Sequence, residues 1–170
     1  MQKVTVRKPS TGGRRSLHAE KDLTTLLMTQ LLFWMLAAPD GHSKNFSIRV
    51  HPQGRYQLTP LHDVMSIWPV EGSGPNQFSM FKAKMAMAVL GKNKHYLFKD
   101  IQRRHFNSMA VKCFDRGDAD AVVESVLSRA PHAIEAVGQR LPRGFPERLA
   151  ESIFTGLQLS AVRLAAMAKA

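Results

Sequence analysis

Asp40-Gly-His-Ser-Lys-Asn45-Phe, answered eighteen residues beyond Asn45 by Asp63 in Leu-Thr-Pro-Leu-His-Asp63-Val, is the stretch of this chain best equipped for chemistry. An aspartate, an asparagine five positions on, and a second aspartate across a short hairpin form the metal-and-base set of a phosphotransferase. In that chemistry Asp40 accepts the proton of the attacking hydroxyl. The Asn45 amide oxygen and the Asp63 carboxylate hold Mg²⁺ against the phosphates of ATP. An Asp-x4-Asn string arises by chance in many proteins. Its placement, after an apolar helix and at the mouth of a hairpin whose far end carries Asp63, is what gives it weight.

The elements that must position these residues are readable from the pattern. Leu17 to Ala38 holds mostly good helix formers, apolar nearly all round beyond Leu26, and Pro39 stops it. This predicts a helix at the centre of the domain. Phe46–Val50 alternates apolar and polar, Pro52-Gln-Gly-Arg55 supplies turn chemistry, and Tyr56–Leu58 returns, which predicts a hairpin. Its closure brings the Asp40–Asn45 loop beside Leu61–Asp63. Val70–Gln77 is a Gly/Pro-containing loop long enough to be functional or mobile. Beyond it the pattern reads as helical throughout: a short helix at Phe81–Leu90, a basic one at Lys99–Phe114, and an amphipathic one at Asp118–Gln139. Asp118 is the expected N-cap of that third helix, and Pro131 is expected to split or kink it. A last helix follows at Glu147–Lys169. Residues 1–16 read as a basic arm, with a short strand at Val4–Val6, and 17–170 as one domain. The fold class is mainly α with one short β-hairpin.

Composition narrows the function. Lys and Arg outnumber acids 24 to 13, a net charge of +11 that favours a polyanionic partner such as nucleotide, DNA or RNA. The single cysteine, Cys113, excludes an intramolecular disulfide and suits a reducing cytoplasm. Leu23–Ala38 is apolar but contains Gln30 and three threonines, and is shorter than the roughly twenty residues of a membrane span. Glu20 and Asp22 argue against a signal peptide. The chain is therefore expected in the cytoplasm, with no membrane partner.

The strings DGHSKNF, NFSIRV and GRYQLTPLHDVMSIWPV, with Lys84-Met-Ala-Met and Arg104-His-Phe after them, closely resemble the HipA family, serine/threonine kinases that act as toxins in bacterial toxin–antitoxin pairs. The resemblance runs from about Leu23 to the C-terminus. It implies the C-lobe of a protein-kinase-like fold, with Asp40 as catalytic base and Asn45 and Asp63 as Mg²⁺ ligands. It places His42, Ser43 and Lys44 along the ATP phosphates, and His62, Val64 and Met65 beside the metal aspartate. Tyrosine is usual in the family where this chain has His62; the carboxylate is the ligand, so metal binding survives the change. The family also implies a protein substrate in translation, such as an aminoacyl-tRNA synthetase. A helix-turn-helix antitoxin of the HipB type would be its partner, with operator DNA reached through Lys99–Arg116.

Blander readings stand beside these. Lys44 also fits a solvated loop lysine, and His51 an exposed turn residue. A zinc site from His42, His62 and Asp63 lacks further spaced ligands. Trp34 and Trp68 fit core packing better than a stacking platform, and Cys113 an inert core position. No G-x-G-x-x-G string occurs, and the residues before the apolar helix do not supply a strand-borne lysine. The expectation is a C-lobe whose small lobe is absent, whether truncated, split onto a separate chain, or a non-catalytic remnant that binds antitoxin and DNA.

Overall fold

The computed structural model describes residues 16–114, 117 and 119–169. The arm expected at 1–16, its strand at Val4–Val6, and the Asp118 cap therefore lie outside the described residues, apart from Ser16. Among the described residues the fold has four helices and two small antiparallel hairpins: α1 (Ala19–Met35), β1 (Ile48–Val50), β2 (Tyr56–Leu58), β3 (Lys84–Leu90), β4 (Lys94–Leu97), α2 (Arg103–Phe114), α3 (Asp120–Gly138) and α4 (Glu147–Ala166). The chain is mainly helical, as its pattern implied.

Helix α1 is the hub. It packs against α2, α3 and α4 as well as β2 and β3, and Leu27, Leu31, Phe33, Trp34 and Met35 are all buried. That is why its sequence is apolar on every side in its second half. Trp34 meets Phe106 of α2 edge-on and donates its indole N–H to the Phe98 carbonyl at 3.0 Å, so it serves core packing. Leu31 and Phe33 are fully buried, whereas Leu32 is only partly so. Leu31→Ala and Phe33→Ala should each cost about 2–5 kcal/mol, and Leu32→Ala clearly less. Thermal melts of the three variants check the order.

The helix stops three residues earlier than its pattern suggested. Ala37 adopts a left-handed conformation (φ 47°), and the Ala37 and Ala38 N–H groups fold back onto the Trp34 and Phe33 carbonyls at 3.1 and 2.8 Å. Glycine usually takes such a position. Here an alanine fills it because its methyl is buried in the core. The turn aims Pro39 and Asp40 out of the core.

Hairpin β1–β2 pairs Ile48 with Leu58, Arg49 with Gln57 and Val50 with Tyr56. Gln53 and Gly54 both carry positive φ at its tip, the condition for a tight turn that matches strand twist. His51 before the tip is half-buried rather than exposed, and its Nε2 makes no hydrogen bond. Asp22 of α1 ties the hairpin down: its Oδ2 accepts from the Ser16 hydroxyl at 2.6 Å and the Leu58 N–H at 3.4 Å.

The helix expected at Phe81–Leu90 is instead strand β3, paired with β4 in a second hairpin. Met85 and Val89, its buried residues, stand four apart. That spacing fits both a helical face and one side of a strand. The choice is made by a partner strand beyond the Gly91-Lys92-Asn93 turn and by α2, which covers the hairpin. Three further boundaries move. Lys99 lies in a 3₁₀ turn (Phe98–Asp100) and α2 begins at Arg103; α3 runs through Pro131 unbroken; α4 ends at Ala166. Pro131 is exposed, so the carbonyl it frees within α3 is open to water rather than sealed in the core. No helix among the described residues is long and apolar enough to cross a membrane.

Candidate functional site

The site grows from the end of α1. Its last carbonyls lack partners within the helix, and the segment after Asp63 supplies them. The Ser66 hydroxyl donates to the Leu36 carbonyl at 2.6 Å, the Ile67 N–H to Ala37 at 3.1 Å, and the Trp68 indole N–H to Met35 at 3.1 Å. Trp68 in turn lies against Gly156 of α4, where a methyl group would overlap the indole ring. Both strands of the site are thereby stitched to one helix terminus. Sequence reasoning missed Ser66, Gly156 and this role of Trp68.

Gly41 follows Asp40 and is buried against Phe33; a Cβ there would overlap the Phe33 ring. The backbone can approach the core only as glycine. Phe46 then packs edge-on against the same ring, with centroids 6.0 Å apart. Between them Ser43–Asn45 forms a 3₁₀ turn, with His42 N–H on the Asp40 carbonyl (2.8 Å) and Asn45 N–H on the His42 carbonyl (3.0 Å).

Asn45 joins the two halves. It is 2% exposed; its Oδ1 accepts the His42 N–H at 3.2 Å, and its Nδ2 donates to the Asp63 carbonyl at 2.6 Å. Asp63 itself is held at φ 55°, a left-handed conformation uncommon outside glycine. The side chains of Asp63 and Asp40 are both solvent-exposed, and the Asp63 carboxylate makes no ion pair or hydrogen bond among the described residues. His42 Nε2 stands 3.4 Å from Asp40 Oδ1, and its Nδ1 is buried without a partner.

Asp40, His42, Asn45 and Asp63 are thus brought together. Lys44 is exposed on the turn and Ser43 half-buried. His62, Val64 and Met65 line the exposed approach to Ser66 and bond to none of the other site side chains. Among the described residues no group of three or more His, Cys, Asp or Glu side chains is placed to hold a metal ion. Asp63 and Asn45, whose Oδ1 keeps a second lone pair beside the His42 bond, would be the oxygen donors. Two hard oxygen ligands fit Mg²⁺, which keeps several waters and completes its octahedron with substrate phosphates. They do not fit zinc.

The HipA-like C-terminal domain family matches residues 10–134, more than half of the chain. The chain belongs to that family. The match contains the whole Asp40–Asp63 site, both hairpins and α2, and ends within α3. The HipA-like assignment thus rests on the part of the fold that builds the site, with α4 beyond it as a brace behind Trp68.

The basic stretch Lys99–Arg116 fares differently in this HipA-like domain. Arg103 is 1% exposed and bonded to Asp120 and Glu124 at 2.6 and 2.8 Å. Lys112 donates to the Gly91 carbonyl, and Arg116 lies outside the described residues. Lys99 and Arg104 remain as exposed cations.

Proposed function

We propose that this HipA-like domain is the catalytic C-lobe of an ATP- and Mg²⁺-dependent serine/threonine protein kinase of a toxin–antitoxin pair. The observation that carries the reading is the 2.6 Å bond from Asn45 Nδ2 to the Asp63 carbonyl. It fixes the two loops in one frame, as phosphoryl transfer demands of a site that works by positioning and electrostatics. Asp40, exposed at the mouth, takes the proton of the incoming serine or threonine hydroxyl. His42 stands against the Asp40 carboxylate and limits its rotation. Asn45 and Asp63 would hold Mg²⁺, which neutralises charge on the phosphates when bound. Ser43 and Lys44, on the turn, would line the phosphates of bound ATP, Lys44 as a cation beside them. His62, Val64 and Met65 form the exposed wall next to Asp63.

A complete kinase also needs a glycine-rich phosphate loop and a strand lysine paired with a helix glutamate. These would come from a small lobe, on the same chain or another, and a helix-turn-helix antitoxin would bind the assembled toxin. The alternative, a non-catalytic operator-binding remnant, is weakened by the burial of Arg103 and the engagement of Lys112.

Asp40→Asn tests the assignment. With radiolabelled ATP, Mg²⁺ and an aminoacyl-tRNA synthetase as acceptor, and with the small lobe supplied, incorporation should fall by about 10²–10⁴-fold. Mg·ATP binding should be unchanged. Incorporation that persists in Asp40→Asn contradicts the base assignment.

A further inference from the structure

A cavity of about 720 Å³ opens between the β3–β4 turn and α2 and shares no residue with the Asp40–Asp63 site. Its lining is rich in donors that lack acceptors. His105 is 7% exposed and its Nδ1 accepts the Gln102 N–H at 3.2 Å, so the neutral ring carries its proton on Nε2. No hydrogen bond engages that Nε2 among the described residues. Asn107 is 8% exposed; its Oδ1 accepts the Ala119 N–H at 3.0 Å, leaving its amide nitrogen free to donate. Lys92 at the turn and Arg104 on α2 line the same cavity, are exposed, and have no carboxylate partner among the described residues.

The one acid among the described residues of the lining, Asp120 of α3, is bonded to Arg103 at 2.6 Å. Buried donors without acceptors are costly in an apolar wall. Here they face solvent-filled space next to two unpaired cations. We propose that this cavity is a binding site for a small phosphate-class oxyanion, up to the size of a nucleotide, held by His105, Asn107, Arg104 and Lys92. The volume lies within the range of small-molecule sites.

The surrounding charges agree. His95 of β4 stacks on His105 with centroids 3.7 Å apart and planes 10° from parallel. Burial first, then His95 and Arg104, pushes the His105 pKa below the usual histidine range. The groups acting on the ring are thus His95 of β4 and Arg104 of α2, with Lys92 of the turn in the same lining. Among the described residues of the lining, the Asp120 carboxylate from α3 is the one opposing charge, and it is already paired with Arg103. An anion there relieves the repulsion and raises the His105 pKa. By linkage, a dianion binds more tightly as pH falls through the histidine range.

Calorimetric titration of the chain with pyrophosphate and with sulfate, a dianion throughout this range, tests the site. The expected result is saturable binding of both, with sulfate affinity rising at least about threefold from pH 7.5 to pH 6. Arg104→Gln and Lys92→Gln, both surface changes, should weaken binding by about tenfold each. Imidazole NMR should show the His105 pKa rising on binding. Failure of pyrophosphate to bind up to about 10 mM, a dissociation constant weaker than ~3 kcal/mol of affinity, overturns the proposal. So does binding that neither variant weakens. Saturable binding of a short DNA duplex without binding of either small anion also overturns it, and would make the cavity part of a nucleic-acid groove.

Discussion

Arg103→Ala is expected to lower the unfolding midpoint by roughly 10 °C. The guanidinium enters the core at the start of α2 and makes bonds of 2.6 Å to Asp120 and 2.8 Å to Glu124, both on α3. Its backbone N–H meets the Met167 sulfur at 3.2 Å, so the chain beyond α4 closes over the same point. Removing one partner of a buried pair typically costs 3–5 kcal/mol, because the remaining charge is left uncompensated. Here Asp120 is 28% and Glu124 50% exposed, so water rescues part of that loss. About 3 kcal/mol is the expected cost, which in a domain of this size moves the midpoint by roughly 10 °C.

Replacing all three residues by apolar ones of similar volume should recover much of the loss, as a thermal melt would show. The pair also gives a pH signature. Hydrogen bonds from Arg103 and then Lys169 hold the Glu124 carboxyl below the usual range. A depressed carboxylate pKa adds stability that is complete above the unfolded-state value, near 4.3, and is lost as pH falls through the folded-state value. Arg103→Ala should flatten that part of the acid-stability curve.

Asn45→Ala is expected to remove the site and weaken the fold together. It leaves the His42 N–H and the Asp63 carbonyl without their partner, at about 1–3 kcal/mol for each group that stays dry. Asp63 is exposed and its carbonyl can reach water, so a total near 2 kcal/mol is expected. The functional effect is larger than the stability effect. A residue at φ 55° holds strain of order 1–3 kcal/mol that its surroundings must maintain. Once the Asn45 bond is gone, Asp63 relaxes to an ordinary conformation and its carboxylate swings away. Asn45→Asp separates the roles, because it keeps an oxygen ligand but loses the donor to Asp63. Mg·ATP affinity should fall in both variants. A wild-type affinity in Asn45→Asp would show that the clamp is dispensable.

Sequence and structure part company according to how local the deciding interaction is. Helix α1 and hairpin β1–β2 are written in consecutive residues, through an all-round apolar run closed by Pro39 and through strand alternation about Gln53-Gly54. The meeting of Asn45 with Asp63 was legible for the same reason, since a short hairpin fixes the distance between its own ends. Strand β3 was not, because Met85 and Val89 suit either a helix or a strand until Lys94–Leu97 pairs with them. Charge counting misjudged Arg103: the sequence displays it within a basic stretch, and only the arrival of α3 turns it into a buried ion pair. The Ser66 and Trp68 bonds to the end of α1, and the demand for glycine at 41 and 156, depend on contacts between distant segments. No local pattern encodes them.

The most direct test of the account is calorimetric titration of the chain with ATP, with and without Mg²⁺, beside Asp63→Asn. The expected result is Mg²⁺-dependent binding by these 170 residues with a dissociation constant above about 0.1 mM, corresponding to no more than ~5.5 kcal/mol. That binding should disappear in Asp63→Asn. ATP affinity that is the same without Mg²⁺, or the same in Asp63→Asn, would contradict the assignment of Asn45 and Asp63 as the metal-holding pair.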